Sequence, residues 1–220
     1  MSEPTLVKSK LICVALNDAE QLKRLEAIFN DAPYKKPPTE PVLYYKPRNT
    51  WSQDGAEVEW ALDFEGKPVD AMVVGASLGV VIGRETCRVS EIEALETVAG
   101  FTVVGDYSLP ETTYFRPDIR GKCLDGSAPV GPVVSQLSAP NSVEVVISVN
   151  GEEQSRFNYA NLERSVETLI SKISYIMTLQ PGEVIAVGFA GDRSPVAPGD
   201  RVELSIEGIG TLVNTLGAKA

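Results

Sequence analysis

An apolar run from Val73 to Gly83 is interrupted by residues that are too small to pack well. It reads V-V-G-A-S-L-G-V-V-I-G, which is typical of a buried strand. Glycine weakens the interior of a strand unless the backbone must come close to another group. Gly75 and Ser77 are two residues apart and therefore lie on one face of that strand. The run thus predicts a core strand that leaves space on one side.

The residue types available for catalysis are restricted, because the 220 residues contain no histidine. This absence excludes Ser-His and Cys-His nucleophile pairs and histidine metal ligands. The three cysteines, Cys13, Cys87 and Cys123, form no C-x-x-C pair, so neither a disulfide framework nor a thiolate metal site is indicated. Any catalysis must therefore use carboxylates, lysine, tyrosine or backbone dipoles.

Charge and hydropathy argue against two classes of partner. The net charge is −10, from 30 acidic and 20 basic residues, and it repels nucleic acid and anionic membranes. No apolar stretch approaches the roughly 20 residues of a membrane-spanning helix, and the first ten residues lack the apolar core of a signal peptide. We expect a soluble cytoplasmic protein that binds neither nucleic acid nor membrane.

Two local patterns in the first half of the chain each predict a helix. The apolar segment 10–16 predicts a strand, and Asn17 or Asp18 can cap the helix after it. Ser90 and Glu93 form a capping-box pattern that starts a short helix ending near Gly100. The predicted core-facing side of this short helix consists of Ile92, Leu95 and Val98.

The second half of the chain is dominated by strand patterns. Residues 143–150 alternate and end at the hairpin dipeptide Asn150-Gly151, and a helix is predicted over 162–178. Two further strands, at 183–188 and 201–208, each follow a Pro-Gly turn. We expect one α+β domain over 1–220, mostly antiparallel, with a small N-terminal βα cap at 1–60 and a β-rich core at 61–215.

The segment from Asp106 to Pro132 has few periodic apolar positions but many aromatic and charged residues. A connection of this length without regular structure is usually functional or disordered. Its composition favours a functional segment.

Several motifs together resemble the fumarylacetoacetate hydrolase family. No motif is specific alone, but they follow the family's order over nearly the whole chain. They are A-L-N at 15–17, K-P at 46–47, V-V-I-G at 80–83, V-A-G-F-T-V at 98–103, Asp106, Lys122 with Asp125-Gly126, P-V-G at 129–131, M-T-L-Q-P-G-E at 177–183 and P-G-D-R-V-E-L-S-I-E-G-I-G-T-L at 198–212. The resemblance implies a β-rich roll of that family's type.

Within the family, four segments are similar to the N-terminal half, or separate first subunit, of isomerase/decarboxylases of 4-hydroxyphenylacetate catabolism. They are Y-K-K-P-P at 34–38, Y-K-P-R-N-T at 45–50, D-Y-S-L-P-E at 106–111 and F-R-P-D-I-R-G-K-C-L-D-G at 115–126. The resemblance implies a subunit acting on 2-oxo-diacids of the hydroxymuconate or 2-oxohept-ene-dioate type. It also implies a metal-bearing paralogous subunit or a second copy of the chain as partner. The alternative is a catalytically inert scaffold for that partner.

The same resemblance implies that this chain has lost the family's magnesium site. The family places an E-x-E pair and an aspartate around the ion, and the pair falls on Gly75 and Ser77, which leaves only Asp106. Magnesium requires several hard oxygen ligands. A family arginine is also replaced by Pro110, and a family T-P-x-G motif by the residues 189–192. We therefore expect no metal in this chain and magnesium in a partner subunit.

Four basic residues, Lys46, Arg48, Arg116 and Lys122, lie in segments that the family uses to line its pocket. Such cations would pair with the carboxylates of a diacid substrate. Lys46 and Arg48 could instead be solvated charges beside a turn. For Lys122, which lies among glycines, a catalytic or substrate-binding role is the favoured interpretation.

Asp106 has two interpretations. It could be a catalytic proton shuttle in a keto–enol shift, with its pKa raised by burial, or a structural residue that bonds nearby backbone amides. The aromatic residues Tyr44, Tyr45 and Trp51 are interpreted as core or interface rather than ligand contacts. Cys123 is interpreted as an inert thiol because no base lies near it in the sequence.

Overall fold

A computed structural model describes residues 9–111, 113 and 118–218 of the chain. Within these residues, two curled sheets pack around one main apolar core, and few helices are present. The helices are α1 Ala19–Asn30, α2 Glu91–Ala94, α3 Ile119–Lys122 and α4 Val166–Ile176. The strands are β1 Leu11–Ala15, β2 Val42–Lys46, β3 Trp51–Gln53, β4 Glu57–Val58, β5 Met72–Ile82, β6 Val98–Ser108, β7 Ala128–Val134, β8 Glu144–Val149, β9 Glu152–Asn158, β10 Val184–Ala186, β11 Ser194–Val196, β12 Arg201–Ile206 and β13 Gly210–Leu216.

The larger sheet has eight strands in the order β2-β1-β10-β5-β6-β7-β3, with β11 also paired to β5. Its longest ladder joins the antiparallel strands β5 and β6 and sets Gly75 opposite Asp106. One half of β5 pairs with β10 and the other half, next to Gly75, pairs with β11. The connection between β10 and β11 therefore runs alongside the middle of β5, and the Arg193 side chain lies beside Gly75.

The smaller sheet has five strands in the order β4-β13-β12-β8-β9. Strands β8 and β12 alternate buried and partly exposed residues, because one face of this sheet covers the core. The hairpin between β8 and β9 turns at Asn150 and Gly151, which both have positive φ values, of 52° and 84°. This geometry is the one that an Asn-Gly turn favours, so the predicted hairpin is confirmed.

The helix predictions hold at the caps but fail at one apolar face. The capping box of Ser90 and Glu93 is present at α2, and Asp18 caps α1, as predicted. The helix predicted over 162–178 is shorter, since α4 spans Val166–Ile176. However, Ile92 is 93% exposed and Leu95 is 39% exposed, so the predicted core-facing side of α2 is wrong. The helix has only four residues, and Ala94 is the residue that it buries. A single turn is too short for the spacing of apolar residues to decide its orientation.

The predicted α+β roll is confirmed, with both antiparallel and parallel strand pairs. The N-terminal segment contributes to the same sheet as the rest of the chain, since β1 pairs in parallel with β10. The division at residue 60 stays a prediction. No helix in the described residues is long and apolar enough to cross a membrane.

Candidate functional site

The candidate site is built around Asp106, a fully buried carboxylate on β6. Three cationic side chains contact its two oxygen atoms. Lys46 Nζ lies 2.6 Å from Oδ1, while Lys122 Nζ and Arg193 Nη1 lie 3.3 Å and 3.0 Å from Oδ2. One carboxylate thus holds three positive charges inside the protein.

Lys46, the last residue of β2, is completely buried. Besides Asp106, its ammonium group donates hydrogen bonds to the carbonyl oxygen of Tyr107 and to Ser127 Oγ, both at 3.2 Å. A buried lysine needs a partner charge and several acceptors to replace its hydration, and these three groups supply them. The alternative that Lys46 is a solvated surface charge is therefore wrong.

Lys122 ends the short helix α3, which Asp118 caps by accepting a hydrogen bond from the Gly121 amide. The lysine is 5% exposed and lies between two carboxylates. Its Nζ atom is 2.9 Å from Oε1 of Glu111 as well as 3.3 Å from Asp106 Oδ2. It also donates to Ser108 Oγ at 3.2 Å. The predicted binding residue is thus part of the cluster, with Glu111 on its outer side.

Arg193 and Tyr44 complete the cluster. The Tyr44 hydroxyl donates a hydrogen bond of 2.6 Å to Asp106 Oδ2, and Arg193 Nη2 donates to the same hydroxyl at 3.4 Å. The guanidinium Cζ atom lies 4.2 Å above the centre of the Phe189 ring, a cation–π contact. The side chain of Arg193 is 12% exposed. These contacts hold the guanidinium in one place.

The three cations determine the protonation state of Asp106. Burial alone would raise the pKa of this carboxyl, but Lys122, Lys46 and Arg193 together outweigh burial and hold its pKa well below the usual range. Burial and the negative charge of Asp106 raise the pKa of the Tyr44 hydroxyl well above its usual value. Asp106 is therefore an anion and Tyr44 a neutral donor at neutral pH.

This electrostatic arrangement corrects both interpretations of Asp106. A proton shuttle with a raised pKa is wrong, because the pKa is lowered. The backbone-amide interpretation also differs from the structure, in which the carboxylate contacts the side chains of Lys46, Lys122, Arg193 and Tyr44. The prediction that Asp106 is a catalytic residue is otherwise untested and stays a prediction.

The residues at the implied magnesium position do not fit a divalent cation. Gly75 offers no ligand, and Ser77 Oγ accepts a hydrogen bond from the Gly188 amide and contacts the Tyr159 hydroxyl at 3.1 Å. Asp106, the remaining carboxylate, already faces three cations. Within the described ranges, no group of three or more His, Cys, Asp and Glu side chains could hold a metal ion. Magnesium requires several oxygen ligands, which this place does not provide.

One predicted binding residue, Arg48, is not brought into the cluster. Arg48 is exposed in a short 3-10 helix, Arg48–Thr50, that follows β2. Arg116 lies outside the described residues, so its predicted role stays a prediction. Cys123 follows Lys122, and burial raises the pKa of its thiol, which agrees with an inert cysteine.

Three residues of the cluster were missed from the sequence: Tyr44, Glu111 and Arg193. Tyr44 was interpreted as core or interface, yet its hydroxyl bonds the central carboxylate. Arg193 follows directly after the 189–192 segment that departs from the family pattern. Two features of the sequence could have identified Arg193. It is an arginine next to a segment that departs from the family pattern, and Gly75 lacks the side chain that the family has at that position.

A narrow cleft opens beside the cluster. It is lined by residues 14–16, Glu111, Phe189 and Arg193, among others, and its volume is about 10 Å³. This is room for about one water molecule. Within the described part of the chain, the side chains of Lys46, Lys122 and Arg193 are 0%, 6% and 12% exposed, so the positive charges of the cluster are closed in.

Comparison with known proteins gives a consistent result. The family model described as "Fumarylacetoacetate (FAA) hydrolase C-terminal" matches residues 10–217. The chain is 35% identical over 208 residues to the 4-hydroxyphenylacetate degradation bifunctional isomerase/decarboxylase of Escherichia coli, a match that covers 94% of this chain and 47% of that protein. The chain thus spans about half the length of this curated relative.

Solved structures show the same architecture. The 5-carboxymethyl-2-hydroxymuconate delta-isomerase from Mycobacterium smegmatis superposes with a TM-score of 0.80 at 28% identity, covering 98% of this chain and 79% of that one. The 2-hydroxyhepta-2,4-diene-1,7-dioate isomerase from Mycobacterium marinum gives a TM-score of 0.80 at 26% identity, covering 99% and 77%.

Proposed function

Because the chain belongs to the fumarylacetoacetate hydrolase family, we propose that it is a metal-free subunit of an isomerase/decarboxylase acting on 2-oxo-diacids of 4-hydroxyphenylacetate catabolism. The names of its relatives supply the substrate class. The single observation that carries the proposal is the cation cluster of Lys46, Lys122 and Arg193 around Asp106. It suits an anionic substrate on a chain whose net charge is −10.

The charges of the cluster favour the binding of an anion. Three cations face the carboxylates of Asp106 and Glu111, which gives a net charge of one positive. Asp106 is held inside, whereas Glu111 is 19% exposed and reaches Lys122 from the outer side. A substrate carboxylate can replace Glu111 on Lys122 with the charge balance kept. Such a replacement is the route by which a diacid would enter the narrow cleft.

Keto–enol isomerisation moves one proton from the enol oxygen to a carbon atom and shifts the double bonds, so it needs no oxidant. Among the residues of the cluster, Asp106 has too low a pKa and Tyr44 too high a pKa to take up the proton at neutral pH. Arg193 and Glu111 line the cleft, and the ammonium group of Lys122 contacts Glu111. The enol proton would therefore pass to a water molecule in the cleft, which would return a proton to the carbon atom. Lys122 and Arg193 would stabilise the negative charge of the enolate oxygen between these two transfers.

Decarboxylation would take place in a metal-bearing partner, either a paralogous subunit or a fused second half. The relative from Escherichia coli is about twice as long as the aligned region, since 47% of it is covered. This length leaves room for a second unit in that protein. In the proposal, the present chain supplies one unit and the partner supplies the magnesium.

The test is an assay with a hydroxymuconate-type substrate. Turnover would be measured for the partner alone, for the chain alone and for the two together. Each preparation that contains the chain would be made once with wild-type chain and once with Lys122→Met. We expect turnover by the chain or by the mixture, reduced at least tenfold by Lys122→Met. The matched control is Lys172→Met, because Lys172 pairs with Glu40 at the surface, away from the cluster. No turnover in any preparation that contains the chain would overturn the enzymatic role.

A scaffold without catalytic activity is the second candidate, and the small cleft of about 10 Å³ favours it. In that case all activity would come from the partner, either by itself or only when it is bound to the chain. Lys122→Met would then leave the rate of the complex unchanged. The same set of assays therefore separates the two functions.

A further inference from the structure

Gly75 and Arg193 share one space beside Asp106. An ideal Cβ atom added to Gly75 would lie 2.8 Å from Cζ and 2.9 Å from Cδ of Arg193, and closer still to Nη1. Real Cβ atoms essentially never approach other atoms within 3.0 Å. A side chain at position 75 therefore cannot be present while the Arg193 guanidinium keeps its present position.

The topology of the larger sheet fixes this arrangement. Residue 194 of β11 pairs with residue 74 of β5, so Arg193 enters the sheet next to Gly75. Across the ladder, Gly75 is opposite Asp106. The guanidinium extends over the glycine and reaches Asp106 Oδ2 at 3.0 Å. The missing side chain at 75 and the ion pair with Asp106 are thus two parts of one feature.

We propose that the Arg193 guanidinium is the resident cation of this site and that it replaces the divalent ion which the family resemblance implies. A divalent ion at this place would need carboxylates at 75 and 77, and the guanidinium fills the space of the first. Arg193 needs no added ligand, because Asp106, the Tyr44 hydroxyl and the Phe189 ring hold it. A covalently attached monocation thereby occupies the place of the metal ion.

The proposal concerns the cation of the site and is independent of the proposed reaction, so its tests measure stability and metal binding rather than activity. The first test is a double-mutant cycle with small substitutions. Gly75→Ala should lower the melting temperature of the wild type by about 2–4 °C. In a chain of this size, such a shift corresponds to a loss of about 1 kcal/mol in the free energy of unfolding. In the Arg193→Ala background the same substitution should shift the melting temperature by less than half as much.

The matched control is Gly79→Ala on the same strand. A Cβ atom there would meet the side chains of Thr102 and Val104 at 2.6 Å and 2.7 Å, and none of its three nearest atoms belongs to Arg193. This substitution should therefore lower the melting temperature equally in both backgrounds. An equal effect of Gly75→Ala in both backgrounds would overturn the proposal.

The second test restores a metal site and titrates it with Mn²⁺ in a calorimeter. The variant Gly75→Glu/Ser77→Glu/Arg193→Gly should bind one Mn²⁺ at least about tenfold more tightly than Gly75→Glu/Ser77→Glu, which retains the guanidinium. The control Gly75→Glu/Ser77→Glu/Lys122→Met removes a different cation from Asp106 and leaves Arg193 in place, so it should gain less affinity.

Equal Mn²⁺ affinity with and without Arg193, or stoichiometric binding by the unmodified chain, would overturn the proposal. If the carboxylate variants do not fold, the alanine cycle decides alone, because its substitutions add or remove only small groups.

Discussion

The substitution Asp106→Asn should destabilise the protein severely, because three cations would lose their shared counterion. Lys46 is completely buried, so it cannot reach solvent after the change. Removing one partner from a buried ion pair typically costs about 3–5 kcal/mol, since an uncompensated charge stays inside the protein. We therefore expect the free energy of unfolding at pH 7 to fall by about 3–5 kcal/mol, measured by urea denaturation.

The pH dependence gives a sharper form of this prediction. The pKa of Asp106 is lower in the folded protein than in the unfolded chain, where it is about 3.9. Ionised Asp106 therefore stabilises the fold above that value, and this stabilisation is lost as the pH falls from about 4 towards the folded pKa. The stability difference between wild type and Asp106→Asn should be constant from pH 7 to pH 5 and should shrink below pH 4.

The control for this experiment is Asp192→Asn. Asp192 is a surface carboxylate, 82% exposed, that pairs with Arg24. Exposed pairs contribute little, so this substitution should leave the urea midpoint almost unchanged. A cost for Asp106→Asn below about 1 kcal/mol, or a cost that does not change on acidification, would refute the reasoning about the buried cluster.

Three further predictions concern single residues of the site. Glu111→Gln removes the outer carboxylate from Lys122 and should lower the dissociation constant of a dicarboxylate substrate several-fold in calorimetry; an unchanged or higher constant would contradict the proposed exchange of carboxylates. Tyr44→Phe removes the 2.6 Å hydrogen bond to Asp106 and should lower the free energy of unfolding by about 1–3 kcal/mol in urea denaturation. The Cys123 thiol, whose pKa burial raises, should react with iodoacetamide at pH 8 more slowly than free cysteine, and a faster reaction would show an activated thiol.

Features that depend on a few neighbouring residues were predictable from the sequence. The Asn150-Gly151 turn and the Ser90–Glu93 capping box both appear as expected, because each is determined by backbone geometry within four residues. The short helix after that capping box shows where local patterns fail. Ile92 has the spacing of a core residue but is 93% exposed, since one turn of helix does not determine its own orientation.

The site was only partly predictable, for a physical reason. Asp106 and Lys122 were found because they lie in recognisable motifs of one segment. The burial of Lys46 depends on a carboxylate 60 positions away in the sequence, and the position of Arg193 depends on the pairing of β11 with β5. Such contacts between distant segments leave no periodic pattern, so only the assembled sheet reveals them.

The central claim is that the cation of this site is a guanidinium and not a metal ion. A crystal structure grown with millimolar Mn²⁺, with anomalous diffraction data collected at the manganese edge, tests it most directly. We predict no anomalous peak within about 4 Å of the Asp106 carboxylate, with the Arg193 side chain in contact with Oδ2. A strong manganese peak bound to Asp106, with Arg193 displaced, would contradict the account.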